Sequence, residues 1–150
     1  MRPRETSFFS AFFVLAAAAA IGAMGSLSCG PSQETIEADR VLRAIDKLRD
    51  APPEPLAGRE VLVTELERTP AASPPAVKAR DACARAYRLL IDGKKLSERV
   101  AKQLADPKTL TLDVGRDLAS AETKIAESSA AMPACESAVA DLRRSGAARR

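Results

Sequence analysis

The sequence predicts an all-α protein: four to five antiparallel helices in an alanine-rich bundle, stapled by one disulfide, after an N-terminal export segment. Three observations carry this. Apolar residues recur at helical spacing in each long segment after residue 32, and the only short β-like run is Val61-Leu62-Val63-Thr64. Proline-rich breaks separate these segments. Residues 8–27 hold no charge and contain all four phenylalanines, Phe8, Phe9, Phe12 and Phe13.

The export segment comes first. Arg2 and Arg4 stand before the apolar run, and the small-residue stretch Gly22 to Ser28 follows it, ahead of Cys29. A basic start, an apolar centre and a small-residue end make an export signal. The two arginines are not adjacent, so there is no twin-arginine motif. Ser26-Leu27-Ser28-Cys29 resembles the lipobox of bacterial lipoproteins. Ser28 fits that pattern; Leu27 lies two residues before the cysteine, where the class places leucine three before, and Ser26 takes that position. The resemblance implies cleavage before Cys29, a diacylglycerol on its sulfur and a further chain on its freed amine. It spans four residues and implies a processing route, not a fold. Gly30, where the class uses Asp for inner-membrane retention, implies the outer membrane or outer surface. Two alternatives stay open. Ala23-Met24-Gly25 before Ser26 is an ordinary cleavage site, which gives a soluble exported protein, and residues 8–27 are long enough for an uncleaved transmembrane helix. All three place the body outside the cytoplasm. The expected division is export signal 1–28, tether 29–34, helical bundle 35–144 and basic tail 145–150.

Ser32 is the expected N-cap of the first helix, with Glu34 in the first turn and Ile36, Val41, Ile45 and Leu48 on its inner face. Ala51-Pro52-Pro53-Glu54-Pro55 ends it, since proline lacks the N–H a helix needs. A shorter helix is expected over 56–68, with Leu62, Val63 and Leu66 inward. Ser73-Pro74 starts the third helix. Ala76, Ala79, Cys83, Ala86, Tyr87 and Leu90 share its face, and Asp81 and Arg85 form an outer pair. Gly93 reads as a C-cap. Leu96, Val100 and Leu104 then form either a fourth helix or a continuation, stopped at Asp106-Pro107. The last segment carries Val114, Leu118, Ala121, Ile125, Ser128, Met132, Cys135, Val139 and Leu142 at alternating spacings of four and three. The phase survives Pro133, which predicts one kinked helix packed on this chain's own helices.

Three cysteines are an odd number for an exported chain. Acylation of Cys29 leaves Cys83 and Cys135 to form a disulfide in an oxidising compartment. The bridge matters because the core is thin. Beyond residue 28 there are 13 Leu, 7 Val and 4 Ile in 122 residues, beside 23 Ala.

The composition excludes several kinds of chemistry. The chain has no His and no Trp, and beyond residue 28 its only aromatic is Tyr87. A His-based triad is therefore impossible, and no cysteine pair has redox or zinc spacing. Lys and Arg number 21 and Asp and Glu 19 beyond residue 28, a balance that gives no reason to expect nucleic acid as a partner. No catalytic residue, metal site or cofactor is expected. Asp113 and Asp117 lie four apart, where acids suit the start of a helix. The partners expected are a membrane, through lipid on Cys29, and a protein or anionic envelope polymer. The candidate partner surface is the basic cluster Lys94, Lys95, Arg99 and Lys102; Arg143, Arg144, Arg149 and Arg150 form a second basic group. The sequence predicts a lipid-anchored envelope protein with a non-catalytic binding or structural role, or else a soluble exported adaptor, inhibitor or chaperone-like protein.

Overall fold

A computed structural model describes residues 30–106 and 111–147. The export segment, Cys29, Arg149 and Arg150 lie outside the described residues. Among those described are four helices and no strand: α1 (Gln33–Asp50), α2 (Leu56–Arg68), α3 (Pro74–Ala105) and α4 (Thr111–Ala147).

Helix α1 starts where its cap dictates. Ser32 Oγ accepts the N–H of Thr35 at 3.2 Å, so residues 33 and 34, expected in the tether, are already helical. Val41, Ile45 and Leu48 are fully buried, but Ile36 is exposed and Glu37 takes the inward position beneath Val41. Helix α2 has the expected bounds, with Val63 and Leu66 buried and Leu62 half-buried.

Helix α3 departs from expectation at Gly93. No glycine among the described residues has positive φ, so Gly93 makes no left-handed cap, and the helix runs twelve residues beyond it. Gly93 serves a packing role. A Cβ there would lie 2.8 Å from Ile125 Cγ1 and 3.2 Å from both the Ala121 carbonyl oxygen and the Ile125 nitrogen. The third and fourth predicted helices are therefore one. Helix α4 is likewise continuous, with Pro133 inside it. Proline removes the hydrogen bond to the carbonyl four residues earlier. Both Pro133 and Ser129 are exposed, so that carbonyl can turn to solvent.

Helices α3 and α4 form an antiparallel pair. Ala79, Ala86 and Gly93 recur every seven residues on α3, as do Ala121, Ser128 and Cys135 on α4; all six are buried. Small side chains let the two backbones approach closely. The Cα atoms of Cys83 and Cys135 are 4.5 Å apart, and a disulfide joins the two residues. Ser128 Oγ donates to the Ala86 carbonyl at 2.9 Å across the same seam. Larger residues fill the space towards α1 and α2: Ile45, Leu48, Val63, Leu66, Ile91 and Leu142 are all buried. Helix α1 touches the other three helices, whereas α2 touches α1 and α3 but not α4.

The start of α1 lies beside the end of α4. Ala38 packs at Gly146, and Glu34, Thr35, Ser145 and Gly146 share one small cavity wall. Residues 30 and 147 are thus at one end of the bundle, which we call the base. The break between α3 and α4 is at the other end, the tip. At ~1.5 Å per residue, α1 is about 27 Å long and α4 about 55 Å, so the α3–α4 hairpin extends well past α1.

Two stability outcomes are expected. Reducing Cys83–Cys135, which closes a sequence separation of 52, should cost on the order of 4 kcal/mol and lower the thermal midpoint read by circular dichroism. An unchanged melting curve in reductant would count against the staple. Gly93→Ala should destabilise by roughly 1–3 kcal/mol, despite alanine's better helix propensity, because its Cβ meets α4. Gly115→Ala, where a Cβ meets nothing within 4 Å, should stabilise by about 0.5–1 kcal/mol in the same assay.

Candidate functional site

The basic cluster lies on the upper half of α3, towards the tip. The structure divides it. Lys95 Nζ is 2.9 Å from Glu60 on α2. Arg99 lies 3.7 Å from Asp117 on α4, the carboxylate that also accepts from Gln103 Nε2 at 3.1 Å. Lys94 and Lys102 have no ion pair among the described residues. The four cations thus do not form one unpaired patch. The Lys95–Glu60 pair is exposed on both sides, and such pairs are worth about 0–1 kcal/mol, so Lys95 can exchange partners at little cost.

The two carboxylates at the start of α4 also separate. Asp113 pairs with Arg116 at 2.9 Å, while Asp117 faces α3. No group of three metal-capable side chains occurs among the described residues. Asp81 pairs with its neighbour Arg80 at 2.7 Å rather than with Arg85, one turn along the helix. Of the second basic group, Arg143 reaches Asp46 on α1 at 3.1 Å and Arg144 pairs with Asp141. Both arginines are exposed.

Tyr87 is buried, and the Arg59 guanidinium lies over its ring, 5.8 Å from the centroid. Arg59 Nη2 also donates to the Leu48 carbonyl at 3.4 Å, near the end of α1. Arg59 Nε is buried with no acceptor among the described residues; the negative face of the ring partly offsets that loss. This arrangement joins α1, α2 and α3 and offers no open surface. On the α2–α3 side, Arg88 makes two bonds to Glu67, at 2.7 and 3.1 Å. The carboxylate raises the Arg88 pKa further above its already high ordinary value.

The tip has a different character. Leu104 is 70% exposed and Leu112 86%, while Val100, one turn below Leu104, is buried. The expected inner stripe of Leu96, Val100 and Leu104 therefore runs out of cover at its last member. Leu118 and Ile125 are also partly exposed, because α2 does not reach α4. Spacing alone misses this exposure, since it does not show where the opposing helix stops.

Glu37 is the least anticipated polar residue. Its Oε2 accepts the backbone N–H groups of Ala72 and Ser73 at 3.1 and 3.0 Å. The hydroxyl of Ser73 makes no cap of its own, so a carboxylate from α1 caps α3. The N–H of Ser73, followed by that of Ala72, holds the Glu37 pKa below its ordinary value against the opposing effect of burial. Its place four residues before Val41 on the apolar face was the available sequence clue.

No protein-family model matches the chain, and no curated protein or solved structure is detectably similar to it.

A lowered carboxylate pKa stabilises the fold above the unfolded-state pKa, and that contribution is lost as pH falls through the folded-state value. Glu37→Gln should therefore melt below the natural protein at neutral pH. The gap should narrow under acid conditions once pH drops beneath the ordinary glutamate range. A gap independent of pH in paired thermal scans would contradict the capping role.

Proposed function

We propose that this chain is a lipid-anchored protein of the cell envelope and that its helical bundle is a non-catalytic binding or structural module. Cys29 carries the lipid. Because residue 30 lies at the base, an anchor on Cys29 directs the tip of the α3–α4 hairpin away from the membrane. The observation that carries this reading is the opposition of the two ends: the tether leaves one end, and the exposed Leu104 and Leu112 occupy the other. The hairpin, closed by a disulfide and outrunning α1, supports a role in presenting that tip to a partner at a distance from the bilayer. Lys94 and Lys102, on the same half of α3, give the approach a basic flank.

The proposal is tested on protein from its native cell. An intact mass beginning at Cys29 with added acyl groups, together with recovery in the membrane fraction, is the expected result. Cys29→Ala should move the protein to the soluble fraction or leave it as uncleaved precursor. An unmodified N-terminus at Ser26 would replace this reading with a soluble exported protein, and retention of residues 1–28 would replace it with a transmembrane anchor.

A further inference from the structure

We infer that the open side of the α3–α4 hairpin is a docking surface for a second copy of this chain, the two hairpins lying face to face and pointing the same way. The inference goes beyond the anchor reading and does not rest on it.

Helices α1 and α2 pack on one side of the hairpin, where Arg88 and Lys95 meet α2 and Arg143 meets α1. On another side runs an open groove of about 500 Å³ whose lining comes from α3 and α4 alone. Its apolar lining includes Ala82 and Leu89 from α3 and Ala131 and Ala134 from α4, with Arg85 on the α3 wall and Glu127 on the α4 wall. Leu96, seven residues beyond Leu89, continues the same side of α3. Both leucines are half-buried, yet neither packs on the central core. Covering them would remove apolar surface from water that no helix of this chain reaches.

Charge complementarity points to a second copy as the occupant. On the covered side, Arg88 pairs with Glu67, Lys95 with Glu60 and Arg143 with Asp46. In the groove, Arg85 and Glu127 make no ion pair among the described residues. Across the seam Cys83 meets Cys135 and Ser128 meets Ala86. That register sets Arg85 within about one helical turn of the level of Glu127. A two-fold axis along the hairpin lays α3 of each copy over α4 of the other at equal height. Arg85 then comes within reach of Glu127 of the partner subunit, and the symmetry forms the pair twice. Hairpins pointing opposite ways would set α3 on α3 and lose this match.

The area is sufficient. The 22 residues from Lys78 to Arg99 span the groove side of α3. At ~1.5 Å per residue and about 18 Å across two packed helices, that side offers about 600 Å² per copy. The total, about 1,200 Å², lies at the lower bound of specific interfaces. In this arrangement α1 and α2 stay outside the pair, and the start of α1 lies at the same end in both copies.

The test uses the chain from Cys29 to Arg150, whose helices enclose their own core, with Cys29→Ser to remove its free thiol. Sedimentation equilibrium should show a reversible dimer. Ala134→Glu, at an exposed position of the groove, should weaken it about tenfold or more while leaving the monomer's thermal melt unchanged. Arg85→Glu should do the same by setting like charges together, and adding Glu127→Arg to it should restore the dimer. Lys94→Gln with Lys102→Gln should have no effect. A chain that stays monomeric up to ~1 mM overturns the inference. So does a dimer that tolerates both Ala134→Glu and Arg85→Glu, and so does a double charge exchange that recovers nothing.

Discussion

The close approach of α3 to α4 is the constraint on which the rest of the bundle depends. The buried positions that recur every seven residues along the seam are Ala, Gly, Ser and Cys, which bury little apolar area each. What the seam gains is proximity. Two backbones meeting at a glycine and at a pair of cysteines can share a covalent bond and a buried hydroxyl-to-carbonyl bond. Larger leucines, isoleucines and valines fill the core towards α1 and α2. A chain with few large apolar residues thus concentrates them where they fill most volume.

Much of this architecture is written in local sequence. The bounds of α2, the Ser32 cap and the pairing of Cys83 with Cys135 follow from proline placement, capping chemistry and cysteine arithmetic. The failures share one cause. Gly93 looks like a helix stop when only its own neighbours are considered; its reason is Ile125, which lies 32 residues away in sequence. Ala121 and Ser128 look like weak members of a coiled-coil stripe, yet small size is what the seam requires. Glu37 breaks an apolar face because its partners are backbone amides at the start of another helix. Long-range geometry assigned each of these roles, and no window along the chain contains it.

The candidate surface was less legible than the fold. Proximity in sequence grouped Lys94, Lys95, Arg99 and Lys102, but a helix turns successive residues in different directions. Lys95 meets α2 and Arg99 meets α4. The exposed leucines near the tip became visible only once the ends of the covering helices were known. Polarity along the bundle axis, with the start of α1 and the end of α4 at one pole and exposed leucines at the other, is a property of the assembled helices alone.

That polarity has a mechanical side. A load pulling on the tip while residue 30 is held passes down two helices that a covalent bond ties together. It reaches the held end only through α1 and α2. Helix α2 has no grip on α4, and α1 holds the hairpin by noncovalent contacts alone. Under tension the first two helices should therefore peel away in sequence, paying out chain like a slack line, while the hairpin stays shut. The molecule is built with a yielding stem and a rigid head.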